Sequence, residues 1–331
     1  MRKILVTGAE GFIGSHLVER LVRLKHKVRA FVLYNSFNSF GWLDTLDDEI
    51  KKKIDIVTGD IRDEKSVKDS VRNCDAVIHL AALIGIPYSY KSPKSYIDTN
   101  VIGTLNVLQA SKDCNVKKII HTSTSEVYGT PIYTPIDENH PLQAQSPYAS
   151  SKVAADHLAI SFFKSFNLPV TILRPFNTYG PRQSARAIIP TIITQILSGK
   201  NKIKLGNINT TRDLTFIEDT VDGFINALNK KNFGHTINLG TGFDISIKNL
   251  THTIGNLLNR NIQIITDKKR IRPKNSEVLK LQSKNLKAKK LLNWKPKYTK
   301  KSGLILGLKK TIDWLKKSKN IKKYKANLYN I

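Results

Sequence analysis

Cysteine is almost absent from this sequence, with Cys74 and Cys114 the only two among 331 residues. Two thiols cannot build a disulfide framework, and no Cys or His cluster has metal-ligand spacing, so no metal site is expected. A chain of this length buries a full core without either device, and reduced thiols point to a cytoplasmic protein. Long apolar runs are also missing. No segment approaches the roughly 20 apolar residues of a membrane span, and the opening MRKILVTGAEGFIG reaches glycines and a charge too soon for a signal peptide. Acidic residues are scarce, 26 against 54 Lys and Arg, which leaves a net charge of +28. Only 13 of the basic residues are Arg, and the Lys are spread along the chain. That distribution reads as solvated faces and not as a nucleic-acid surface. The densest basic stretch, Lys295 to Ile331, holds 12 Lys against the single acid Asp313, and it too is expected to be solvated.

What is present is an alternation of two periods. Apolar strand candidates fall at 3–7, 27–33, 54–57, 76–80, 118–122 and 170–173. Between them, apolar residues recur at helical spacing over 12–24, 64–72, 94–112 and 149–166. Strands alternating with helices predict a doubly wound parallel sheet, hence an α/β fold. After Arg174 the pattern becomes irregular, which predicts a smaller C-terminal α/β part over 175–331 following a first domain over 1–174. Segments within about 210–242, TINLGTG among them, are expected to return to the first sheet.

Gly8, Gly11 and Gly14 stand between the first strand and first helix. A tight turn free of Cβ, bare backbone and a helix N-terminus together suit a dinucleotide pyrophosphate. The acid that normally ends the second strand and binds the ribose is missing: Val32 stands near its place and the first carboxylate is Asp44. NAD against NADP is therefore open at this point. NAD is favoured because no Arg pair lies near 32–36 and Arg29 is inside the strand. Asp60, after the third strand, is placed to meet the adenine end.

Tyr148 and Lys152 are four apart at a helix start, which puts both on one face. A tyrosine of pKa about 10 acts as a base near neutrality only where cations favour its phenolate. The run HTSTSEVYG ends the fifth strand, so Thr124, Ser125 and Glu126 should face the ligand beyond the sheet's carboxyl edge. A carboxylate there can remove a proton from carbon beside a carbonyl. His79 and His121 lack a partner at metal or nucleophile spacing and read as packing residues.

Together GAEGFIG, HLAAL, TNVIGTLNVL, TSEVYG, SPYASSK, RPFNTYGPRQ and LLNWKP closely resemble the extended short-chain dehydrogenase/reductase family of nucleotide-sugar enzymes, over nearly the whole chain. The runs AFVLYNSFNSFGWLDTL and RPKNSEV resemble the subgroup of N-acetylglucosamine 4,6-dehydratases of legionaminic acid synthesis. The resemblance implies a Rossmann fold and a homodimer built on the 94–112 and 149–166 helices. It implies cofactor contacts from the glycine turn with Phe12 and Ile13, from Asp60 and Ile61, from Leu80, Ala81 and Ala82, and from Asn100. Asn177 and Arg182 stand where the family binds the nucleotide diphosphate, with Arg212 and Arg272 as further candidates. It also implies three steps on a UDP- or GDP-linked hexose. Tyr148 takes the O4 proton as C4 is oxidised, Glu126 removes the C5 proton as water leaves C6, and hydride returns to C6. The family's 4-epimerases usually carry a small or apolar residue where Glu126 stands, so the resemblance favours dehydration over a 4-epimerase; Ser125, where the dTDP-glucose dehydratases carry an Asp, keeps a UDP-glucuronate decarboxylase as the runner-up. A non-catalytic dinucleotide scaffold is the rival of another class.

Overall fold

In the computed structural model, residues 1–325 are described, and the last part of the basic stretch, 326–331, lies outside them. The chain opens as β1 (Lys3–Thr7), α1 (Phe12–Arg23), β2 (Lys27–Leu33), β3 (Ile54–Gly59), α2 (Glu64–Val71) and β4 (Ala76–His79). It continues through α3 (Gly103–Asp113), β5 (Lys118–Thr122), α4 (Pro147–Phe166) and β6 (Val170–Pro175). Farther on, β10 (Thr236–Leu239) pairs with β6, completing a parallel seven-stranded sheet of order β10-β6-β5-β4-β1-β2-β3.

Alternate residues of each strand feed two cores. Ile4, Val6, Ile120 and Leu173 pack with Leu17 and Leu21 of α1, whereas Leu5, Ile119 and Ile172 pack with Val67, Val107 and Phe162 from α2, α3 and α4. Strands covered on both faces have no polar side to spare, which is why they read as continuous apolar runs. Each such buried side chain contributes about 1.5–3 kcal/mol.

The helix expected over 94–112 is not one regular helix. Pro93–Tyr96 is α-helical, Ile97–Ile102 widens to a π-helix, and α3 follows. The wide turn carries Asn100 inward, fully buried.

After β6 come β7 (Asn177–Tyr179), α5 (Ile188–Leu197), β8 (Lys202–Leu205), β9 (Thr211–Phe216) and α6 (Ile217–Asn229). β9 does not rejoin the large sheet: it pairs with β7, with β11 (Asp244–Ser246) and with β13 (Lys280–Leu281). β12 (Gln263–Thr266) pairs with β8 alone. The helix Lys300–Lys316 buries Leu304, Leu308, Ile312 and Leu315, so this helix of the basic stretch is solvated on its Lys side only. Among the described residues, no helix is long and apolar enough to cross a membrane.

Candidate active site

The strand order reverses beside β1, where chain crossovers leave in opposite directions and a crevice opens at the carboxyl ends of the strands. A cavity of about 840 Å³ occupies that crevice, between the large sheet and the β9 sheet.

At one end lies the glycine turn. Gly8 has φ +66°, a left-handed conformation, and a Cβ there would lie 2.8 Å from the Ala81 backbone nitrogen. A Cβ on Gly14 would lie 2.2 Å from the Gly8 carbonyl oxygen. The Thr7 hydroxyl bonds His79 Nδ1 at 2.8 Å and accepts from the Leu80 and Ala81 N–H groups at 3.2 Å each. These contacts press the Leu80–Ala82 turn against the glycine turn. Bare backbone at the start of α1 is what a pyrophosphate requires, so this end fits a dinucleotide.

In the middle, Ser146 caps α4 by accepting from the Ala149 N–H at 3.1 Å, with Pro147 in the first turn. The cap fixes Tyr148 and Lys152 one turn apart on the cavity wall. Thr124 and Tyr148 line the cavity together. Thr124 also caps the short 3₁₀ turn Ser125–Tyr128, accepting from the Glu126 N–H at 3.2 Å. That turn places the buried Ser125 and Glu126 on the same wall. Burial pushes the Tyr148 hydroxyl well above its ordinary value; the Thr124 hydroxyl opposes this, and the Glu126 charge adds to it. Burial brings the Lys152 ammonium down to about 8 against the pull of Asp156. A phenolate at Tyr148 therefore needs positive charge supplied within the cavity.

Behind these residues lies a polar cluster that sequence reasoning missed. Asp156 accepts from the Ser123 hydroxyl at 2.7 Å and from Arg174, whose Nη1 donates to the Tyr128 hydroxyl at 3.0 Å. Tyr128 in turn donates to Asn238 at 2.7 Å.

The far end carries Asn177, Arg186, Arg212 and Arg272. The Asn177 Oδ1 is buried without a partner. Glu277 lies between two guanidiniums, 3.4 Å from Arg212 and 3.5 Å from Arg272. Burial lowers the Arg212 pKa, the Glu126 and Glu277 charges oppose this, and Arg272 reinforces it. Arg186 and Glu277 were not named as site residues from the sequence, although Arg186 lies three residues beyond RPFNTYGPRQ and Glu277 lies within RPKNSEV.

Two expected residues are placed otherwise. Arg182 adopts φ +67° and turns away from the cavity, binding Glu19 of α1 at 2.8 Å. Asn100 stands behind the wall, where its amide donates to Leu83 O at 2.9 Å and Ser151 Oγ at 2.9 Å, while its oxygen accepts from the Leu83 N–H. Asn100 therefore braces the cavity wall and does not line it.

A family model described as GDP-mannose 4,6 dehydratase matches residues 5–305. The chain belongs to that family. Among curated relatives, a putative UDP-glucose 4-epimerase of Methanocaldococcus jannaschii is 32% identical, over 95% of this chain and 98% of its own. The human dTDP-D-glucose 4,6-dehydratase is 30% identical, over 97% and 93%. Among solved structures, a double mutant of the dTDP-glucose 4,6-dehydratase of Streptomyces venezuelae, with NAD bound, superposes with a TM-score of 0.86. It is 28% identical, over 96% of this chain and 98% of that one. Members of this extended short-chain dehydrogenase/reductase family thus include dehydratases and epimerases on one scaffold.

Proposed function

We propose that this family member is an NAD-dependent 4,6-dehydratase of a nucleotide-activated hexose, UDP- or GDP-linked N-acetylglucosamine or a related sugar. The observation that carries the reading is Glu126: a carboxylate on the wall that also holds Thr124 and Tyr148, at the carboxyl edge of the sheet. Removing a carbon-bound proton at C5 requires such a base, whereas moving hydride on and off C4 alone does not.

The glycine turn, Leu80–Ala82 and Asp60 would hold NAD, which would supply a hydride acceptor for C4, a hydride donor for C6 and a positive charge favouring the Tyr148 phenolate. Tyr148 then takes the O4 proton, with Thr124 hydrogen-bonding the same O4. Oxidation at C4 acidifies C5, and Glu126 takes that proton. Ser125 has no carboxylic proton to give, so Glu126 returns its own to the departing C6 hydroxyl, and a proton from solvent, taken up by Glu126, is delivered to C5 as hydride returns to C6. Arg212 and Arg272 exchange Glu277 for the substrate diphosphate, whose paired oxygens suit planar guanidinium forks.

The test is incubation of the full chain with UDP-N-acetylglucosamine, GDP-mannose and UDP-glucuronate bearing deuterium at C4. A 4-keto-6-deoxy product with deuterium at C6 supports the reading. Deuterium returned to C4 would show an epimerase, and carbon dioxide from the uronate would show a decarboxylase.

A further inference from the structure

β2 ends without an acid. Val32 and Leu33 occupy the place where dinucleotide folds usually hold the carboxylate that accepts from the adenosine ribose. The structure brings a carboxylate to that place from another part of the chain. Glu10, inside the glycine turn, accepts through Oε1 from the Leu33 N–H at 3.0 Å, and its Oε2 is buried with no partner. The backbone that carries it is pinned. The Trp42 N–H donates to the Glu10 carbonyl at 3.0 Å, and Gly41 packs so closely that a Cβ there would lie 2.8 Å from the same oxygen. Glu10, Leu33, Gly59 and Asp60 line the cavity together.

Asp60, which also lines the cavity, and Asp44, the first carboxylate after β2 in the sequence, are already engaged. Asp60 is held by Arg62, whose Nε lies 2.9 Å from Oδ1 and whose Nη2 lies 2.5 Å from Oδ2. Asp44 accepts from the Ser39 hydroxyl at 2.9 Å and the Phe40 N–H at 3.0 Å. Burial raises the Glu10 carboxyl above its ordinary value, and the Leu33 N–H offsets this only in part. A carboxylate in that state gains from one more hydrogen-bond donor and resists a second negative charge beside it.

We infer that Glu10 selects the cofactor: its carboxylate accepts a hydrogen bond from the 2′-hydroxyl of the adenosine ribose and repels the 2′-phosphate of NADP. The inference rests on the proposed NAD-dependent function and assigns the discrimination to a residue of the glycine turn in place of the missing acid of β2.

The experiment follows the fluorescence of reduced dinucleotides as they bind the full chain, with no turnover involved. The wild type should bind NADH at least about ten-fold more tightly than NADPH. Glu10→Gln keeps an acceptor for the Leu33 N–H and removes the charge, so the preference should narrow by about ten-fold, chiefly through tighter NADPH. Asp44→Asn should leave it unchanged. The wild type alone supplies a check that needs no variant to fold: 2′-deoxy-NADH should bind about ten-fold more weakly than NADH. The inference is overturned by an unchanged ratio in Glu10→Gln, by an equal shift in Asp44→Asn, or by equal affinity for NADH and its 2′-deoxy form. A wild type that binds both dinucleotides without Glu10 setting the preference leaves the dehydratase reading standing. A wild type that binds neither overturns both.

Discussion

The Arg174 guanidinium donates to one oxygen of Asp156 through two nitrogens, Nε at 3.1 Å and Nη2 at 2.9 Å. Both side chains are buried, and Asp156 lies one turn beyond Lys152 on α4. Burial alone would raise the Asp156 carboxyl, but His121, whose Nε2 lies 3.3 Å from Oδ1, and the charges of Arg174 and Lys152 prevail and bring it to about 2. A carboxyl depressed below its ordinary value contributes stability that is fully present above pH about 4 and lost as pH falls toward 2. Asp156→Asn leaves Arg174 buried and unpaired, at a cost of about 3–5 kcal/mol. Urea denaturation should show that loss near neutrality and a weaker acid dependence between pH 4 and 2. The same change removes the charge that favours the Lys152 ammonium, whose pKa should drop below about 8. The alkaline limb of the pH–rate profile should move to lower pH. An unmoved limb would assign Asp156 to folding alone.

The two arginines at opposite ends of the β7–β9 segment should behave differently. Arg212 is buried on the cavity wall and Arg182 is tied to Glu19. A lost hydrogen bond to a charged group costs about 1.5–3 kcal/mol, so Arg212→Gln should raise the KM for the nucleotide sugar about ten- to hundred-fold. Arg182→Gln should change KM less than about two-fold and lower stability by about 1 kcal/mol. Steady-state kinetics on both variants decides. Equal effects on KM would return Arg182 to the substrate site.

Much of this was legible because it is carried by short spacings. The alternation of Ile4 and Val6 with Leu5 announces a strand covered on both faces, and the four-residue step from Tyr148 to Lys152 announces one helix face. Contacts made across long separations were not. Asp156 and Arg174 are 18 residues apart on a helix and a strand, and Glu10 reaches Leu33 across 23 residues from within a glycine motif. The turn of Arg182 toward Glu19 is a contact across 163 residues that no local spacing announces. The π-helix at Ile97–Ile102 has no glycine or proline to mark it; tertiary packing of Asn100 between Leu83 and Ser151 accompanies it instead.

The described surface carries apolar side chains where the resemblance expects a two-fold partner. Ile97 and Ile102 on the π-helix are 45% and 42% exposed, and Phe166 at the end of α4 is 51% exposed. Exposed apolar groups on adjoining helices favour an isologous contact between copies. The full chain should therefore run as a homodimer by light scattering, and Ile97→Glu with Ile102→Glu should yield monomers. A wild-type monomer at micromolar concentration would show this face to be uncovered.

The proposed dehydration turns on Glu126. Glu126→Gln keeps the side chain's size and a hydrogen-bonding group within the Thr124-capped turn, but it removes the proton acceptor. Tyr148 and Thr124 remain, so oxidation at C4 should proceed and elimination should stop. Reduced cofactor absorbance and a 4-keto-hexose should accumulate together, while formation of the 6-deoxy product falls by about 10² to 10⁴, the usual contribution of a positioned base. Exchange of the C5 proton with deuterated solvent should fall in parallel. Tyr148→Phe should instead block the first step, with no reduced cofactor and no exchange at C5, because the O4 proton has lost its acceptor. The two variants thus stop the sequence at different points and are told apart by absorbance alone. If Glu126→Gln still forms the 6-deoxy-4-keto sugar at near wild-type rate, the base lies elsewhere in the cavity and the dehydratase mechanism drawn from this wall fails.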